Sequence, residues 1–336
     1  MVAGNVADIA IGIQAAKGTA SVVSSVRSYL MDGGIIPVRD TADVEETSGG
    51  RLRNTAFVKS IRGEGSPKFA ARPGFLGMLL YGAMGAKAVS GAGDPYTHTF
   101  TLAQTQPYLT VWRALNGLYE RFADVKLTSL HLESGAGGIL QVTAGMLGLQ
   151  PVFKTAAEPT GLAETTEPFL HMDGKGQFLV ETVPVASISS AKVTFGTGVT
   201  AVWGDSIQPD QATEGMQDIV IEAEQTISNF AEWNRFHYGT ATPADNAVPT
   251  PNIVELAASG VDFKWSKRSS TGIDAVPARS LQITATRVQI VAVDGQDSNA
   301  TGAPVKRTVR YKVYTPASGS GLTAILKNAV ASYAAS

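Results

Sequence analysis

Apolar and polar positions alternate with a period of two along most of this chain, the spacing expected of half-buried strands. The clearest run is 261–266, where Val261, Phe263 and Trp265 alternate with Asp262, Lys264 and Ser266. The same pattern predicts strands over 56–62, 96–102, 107–113, 119–122, 177–185, 191–195 and 219–225. Two long hairpins follow from it: 125–133 with 139–149 around the glycines of 135–138, and 281–293 with 306–315 around the turn 294–304. Two short stretches switch to helical spacing. In 73–85, Pro73 opens a helix whose apolar face is Phe75, Leu76, Leu79, Leu80 and Met84, with Gly82 and Gly85 closing it. In 229–239, Asn229 with Glu232 has capping-box spacing, and Phe230, Trp233, Phe236 and Tyr238 form the apolar face. Residues 322–330 predict a third, C-terminal helix. Residues 7–20, small and uncharged apart from Asp8 and Lys17, fit either a strand or an extended arm.

Strand, helix and hairpin recur at an offset of about 155 residues, which reads as an internal duplication. The expected fold is mainly β, with two tandem β-sandwich or barrel modules, each carrying one short flanking α-helix. The first module is 1–155, a polar connector spans 156–168, and the second module is 169–336 with the C-terminal helix. Residues 40–53 are so rich in charge, Ser, Thr and Gly that they read as a long solvated loop.

Composition narrows the function classes. The 336 residues suffice for two cores. With 27 basic against 29 acidic residues, tight non-specific grip on phosphates is not expected. There is no cysteine, so disulfides and thiolate chemistry are excluded. Residues 1–14 do not read as a secretion signal, and the longest apolar stretch, 75–88, is too short for a membrane-spanning helix. Catalytic chemistry is sparse. His98, His131, His171 and His237 are scattered without ligand spacing, so no metal site is expected, nor any cofactor. Glu45 and Glu46 lie in the polar loop, and Glu222 and Glu224 share one strand face. The glycine-rich 319–324 has no room after it for a dinucleotide-binding unit. Lys264, Lys267 and Arg268, like Lys306, Arg307, Arg310 and Lys312, read as solvated strand faces or subunit salt bridges. Trp112, Trp203, Trp233 and Trp265 are spread without forming a sugar-binding platform.

The order of elements resembles the major tail tube proteins of long-tailed, siphovirus-like bacteriophages. The resemblance rests on the opening 11–19 (Ile-Gly-Ile-Gln-Ala-Ala-Lys-Gly-Thr), the polar loop 45–53 and the helix 75–85 after its strand. The hairpin 126–149 and the strand 309–315 before 326–330 complete it. It implies tail-tube-type modules whose strands join across subunits into a cylinder, with stacked rings conducting DNA from capsid to host. The implied partners are further copies of the chain, in a trimeric ring with pseudo-sixfold symmetry or in a hexamer. They also include a tape measure protein, a tail terminator and a distal tail protein, with double-stranded DNA passing without tight binding. The implied location is the virion tail, after synthesis in the host cytoplasm, and no enzymatic activity or membrane partner is expected. Physical reasoning agrees, because long hairpins with open edges need neighbours to pair them. Candidate contacts between subunits or rings are Gln14, Lys17, Asp40, Asp43, Glu45, Glu46, Arg51 and Arg53, with 1–19, 40–53 and 151–168 as reaching segments. Candidate lumen residues are Glu64, Glu222 and Glu224. The alternatives are another β-rich tail or injection-tube component, such as a baseplate or terminator protein, and a carbohydrate-active β-sandwich.

Overall fold

In a computed structural model of the chain, the described residues are 7–21, 26–44, 55–155, 163–164, 167–172, 177–185, 188–226, 230–257, 260–269, 272–273, 278–295 and 305–333. The chain begins with β1 (Ala7–Ile13), β2 (Val26–Asp32), β3 (Ile35–Asp43), β4 (Ala56–Gly65), β5 (Lys68–Ala70) and α1 (Pro73–Met84). It continues with β6 (Gly85–Ser90), β7 (Tyr96–Leu102), β8 (Leu109–Leu115), β9 (Leu118–Gly135), β10 (Gln141–Gly148) and β11 (Phe153–Thr155). Short strands follow: β12 (Ala163–Glu164), β13 (Leu170–His171), β14 (Phe178–Val180) and β15 (Val183–Pro184). Then come β16 (Ile188–Gly196), β17 (Val199–Trp203), β18 (Pro209–Glu214), β19 (Asp218–Thr226) and α2 (Ala231–Tyr238). The last are β20 (Val261–Ser269), β21 (Gly272–Ile273), β22 (Ser280–Ala285), β23 (Val288–Gly295), β24 (Lys306–Val313) and β25 (Leu322–Asn328).

Six strands close on themselves. β9 pairs β8, β8 pairs β1, β1 pairs β2, β2 pairs β5, β5 pairs β10, and β10 returns to β9, so a small barrel is formed. Alternation places Ile9, Ile11 and Ile13 on one face of β1, where Ile11 sits opposite Val111 and Ile13 opposite Leu109. The N-terminal stretch is therefore not simply an arm: 7–13 is a wall strand of the barrel. The 18-residue β9 is long enough to serve two neighbours. Its first half pairs β8, and its second half passes the sheet on through β16, β19, β24 and β23. A second sheet, ordered β15-β14-β20-β22-β25-β7-β6, lies against this extension. Trp265 Nε1 on β20 donates to Ser134 Oγ on β9 at 2.8 Å, and Phe178 on β14 meets the Tyr311 ring on β24 at 6.1 Å.

The two expected modules thus share both sheets. β6 and β7, from 1–155, complete a sheet made of later strands, and β16, from 169–336, continues a sheet begun by earlier ones. One apolar cluster runs through both, from Ile9 to Tyr333. At the end of the connector Glu167 is clamped by Arg279 at 2.7 Å and by the Ala329 amide at 2.8 Å.

Both helices form where expected, but they differ in kind. Pro73 occupies the first turn of α1, and Gly85 ends it at φ 87°, its amide bonding back to the Tyr81 carbonyl. Every residue of α1 except Tyr81 is buried, so this helix is a core element and not a flanking one. Phe75 packs on Phe69 at 4.8 Å, and a Cβ added at Gly77 would meet the Tyr333 hydroxyl at 2.0 Å. Helix α2 buries none of its residues fully and lies on the surface; Gly239 ends it at φ 78°. Asn229 lies outside the described residues, and Phe230 holds the cap position without a side-chain cap.

Three expectations are corrected. Residues 322–328 form β25 and no helix: Leu322, Ala324, Leu326 and Asn328 are buried alternately, because the slot between β22 and β7 selects the period of two. The stretch 281–293 is two strands that break at Thr286 and enter different sheets, so only β23–β24 is a hairpin. Asp40 and Asp43 lie on β3, so the first part of the loop expected over 40–53 is strand. Its remaining residues Glu45, Glu46, Arg51 and Arg53 lie outside the described residues.

A buried histidine makes acid sensitivity an expected result. His98 is 1% exposed, its Nε2 is 2.7 Å from the Val330 carbonyl, and burial lowers its pKa from the ordinary 6.5. His131 is lowered in the same direction, by burial first and Lys192 second. With the folded pKa below the unfolded one, the stabilisation is complete above about pH 6.5 and is lost as pH falls through the folded value. Melting temperature should drop between pH 7.5 and 5, and the drop should be smaller in His98→Gln. An equal drop in that variant would remove His98 from the account.

Candidate assembly surfaces

Three surfaces stand out: two carry open strand edges and the third a ladder of charges. The first is a ribbon. β3 and β4 pair along their whole length, from Ile35 opposite Gly65 to Asp43 opposite Ala56. β4 touches β10 only at Gly63–Gly65, so the ribbon projects beyond the barrel as two strands. Ile36 and Phe57 on it are about half exposed, at 49% and 52%. Charges brace its root: Asp40 accepts Ser60 Oγ at 2.6 Å and Arg62 at 2.5 Å, and Arg62 also reaches Glu64 at 2.7 Å. The Ser60 bond and then the Arg62 bond hold the Asp40 carboxyl below the usual range. An open groove of about 900 Å³ separates the ribbon from the β17–β18 hairpin, with Met146 and Leu147 on its floor and Trp203 on its far wall. The Ile61 amide crosses to the Ile207 carbonyl at 2.8 Å.

The second surface is the border of the smaller sheet. Among the described residues β6 pairs only β7, so one row of its backbone groups faces outward. Burying that row without a partner would cost free energy, and leaving it bare invites pairing by another chain. The opposite border of the larger sheet is different: 254–256 covers β23 through Leu256 N to Val288 O at 2.8 Å and Ile290 N to Val254 O at 3.2 Å.

The third is the outward face of β16, β19 and β24. Glu222 stands opposite Lys192 on one side and Arg310 on the other, while Glu133 on β9 stands opposite Lys192. Arg310 binds Glu222 at 2.7 Å and Lys192 reaches it at 3.8 Å. Lys306 binds Glu224 at 2.9 Å, Lys312 binds Asp218 at 2.8 Å, and Ser189 Oγ donates to Glu224 at 2.6 Å. The Ser189 and Lys306 bonds lower the Glu224 pKa, and the Asp218 bond raises that of Lys312. The two glutamates expected on one strand face are there, as half-buried members of an ion-pair ladder.

The expected contact residues Gln14 and Lys17 and the expected lumen residue Glu64 fall elsewhere. Gln14 is buried, its amide oxygen accepting from Thr110 Oγ1 at 2.9 Å and its amide nitrogen donating to Asp124 Oδ1 at 2.9 Å, so its amide is committed inside the chain. Lys17 is exposed on the following loop and donates to the Asp210 carbonyl. Glu64 is at the ribbon root, away from the ladder. Sequence reasoning missed Lys126 and Glu214. Lys126 is 4% exposed on β9, ion-paired to Glu214 of β18, donating to Gln106 O at 3.0 Å and lying 4.3 Å over the Tyr108 ring. Its imperfect place in the alternation of β9 was the available signal.

The expected histidines lie apart among the described residues, as do the tryptophans. His131 meets Thr194, the His237 ring lies tilted against Trp233 with centroids 4.0 Å apart, and Trp112 and Trp265 are core residues. Among the described residues no group of His, Asp and Glu is placed to hold a metal, and no helix is long and apolar enough to cross a membrane.

Ribbon and open border are strand edges of the kind that other chains pair. The model of the phage tail tube protein family matches residues 4–252, and the chain belongs to that family. It is a structural tail protein of a bacteriophage, of the kind that self-assembles into the tube through which DNA passes. No curated protein matches the chain.

Proposed function

We propose that the chain forms three-membered rings with pseudo-sixfold symmetry, stacked into the tail tube of a long-tailed phage. The observation that carries this reading is the pair of unfinished edges, the β3–β4 ribbon and β6, on opposite sheets of one subunit. Each half of the chain also places a helix after a strand and ends it at a left-handed glycine, Gly85 or Gly239. That recurrence supports two tube modules, 1–155 and 169–336 joined by 156–168, whose strands have become shared. Lys17 and the ribbon residues Asp40 and Asp43, with Glu45, Glu46, Arg51 and Arg53 beyond them, are the proposed contacts between copies. Glu222 and Glu224 mark the proposed channel face, which is polar, broad and charge-balanced; Glu64, at the ribbon root, belongs with the contacts. The tape measure protein fills the channel before DNA, and a tail terminator and a distal tail protein close the two ends. Subunits are made in the host cytoplasm and act in the virion tail without catalysis.

Electron microscopy of isolated rings tests this. Three copies per ring are expected, with six similar lobes. Six copies would refute the duplication reading, and a monodisperse monomer at high concentration would refute assembly itself.

A further inference from the structure

We infer that the outward face of β16, β19 and β24 is a cationic surface held shut by its own carboxylates, so that duplex DNA slides past it and is gripped only when those carboxylates are neutralised. The inference rests on the reading of this face as the channel wall. Lys192, Lys306, Arg310 and Lys312 project from one sheet face, and each has an Asp or Glu of the same chain within 3.8 Å. Adjacent strands hold them in alternating order of sign, from Glu133 through Lys192 and Glu222 to Arg310. DNA binds a basic surface by trading counterions for lysine and arginine. Here the counterions are fixed carboxylates, so a phosphate gains little by displacing them. An all-acidic wall would repel DNA, and an unpaired basic wall would retain it. A paired wall does neither.

The face is open in the free chain, so binding of a short labelled duplex by fluorescence anisotropy tests the latch without assembly. Wild type should bind weakly. Asp218→Asn/Glu222→Gln/Glu224→Gln should bind at least tenfold tighter in low salt, with a log–log salt slope approaching about −3.6 for four freed cations. Glu224→Gln alone, which frees only Lys306, should give a smaller gain and covers the case of a poorly folded triple variant. Glu224→Gln/Lys306→Gln, which removes a pair together, should change little. No gain in the triple and single variants, or an equal gain in the paired control, overturns the proposal. A second arm tests the reading beneath it. The chain has no cysteine, so Thr308→Cys places one thiol on this face beside Glu224. A bulky polymer-maleimide should label it quickly in free subunits and slowly in tubes. Equal labelling overturns the channel reading; protected labelling with no gain in DNA binding overturns the latch alone.

Discussion

Deleting residues 1–20 is expected to abolish cooperative folding of the chain and not merely its polymerisation. The segment carries β1, which lies between β2 and β8 in the barrel wall. Ile9, Ile11 and Ile13 are 0–2% exposed there. Burial of three such side chains is worth about 5–9 kcal/mol, comparable with the roughly 5–15 kcal/mol total stability of a domain. The deletion also leaves two strand borders without hydrogen-bond partners, and it removes Gly18, whose amide binds the buried Asp124 at 2.7 Å. Circular dichroism and thermal melting of the truncated chain should show no sharp transition. A truncation that melted within a few degrees of the full chain would show that 7–13 is a dispensable arm after all.

Lys126→Met is the point substitution with the largest expected effect. It leaves Glu214, only 13% exposed at its side chain, facing the Gln106 amide without its cation. Removing one partner of a buried ion pair costs about 3–5 kcal/mol, and the partial exposure of Glu214 argues for the lower end. Lys126→Met/Glu214→Leu should recover most of the loss, because the pair goes together and its site already borders the apolar cluster of Leu147, Leu149 and Val199. Chemical denaturation of the three proteins measures this directly. If the double variant is no more stable than the single one, Glu214 is not the group left stranded.

These effects also mark how far the amino-acid pattern carried. Alternation located β19 and β20 because one face of each meets the core and the other meets water. Proline and glycine marked the ends of α1, where the backbone needs them. Pairing could not be read in the same way. β7 bonds to β25 across most of the chain, and β9 bonds to β16 across the connector, and no local signal names a distant partner. That is also why 322–328, with its Leu, Ala and Lys, read as a helix: its propensity is overridden by an open slot in a sheet. At the candidate surfaces the sequence showed that Glu222 and Glu224 share a face, since that follows from a spacing of two. It could not show that Lys192, Lys306 and Arg310 come to meet them, since that depends on register. Lys126 was hidden for a related reason, as its partner comes from a hairpin packed on the outside of the barrel.

The central claim is that sister chains supply the missing strands. Helical reconstruction of assembled tubes, at a resolution that separates strands, tests it most directly. Backbone hydrogen bonds should cross from one subunit to the next at the β3–β4 ribbon or at β6, making sheet continuous around the wall. Subunits that met only through loops and side chains, with both edges still bare, would contradict the account.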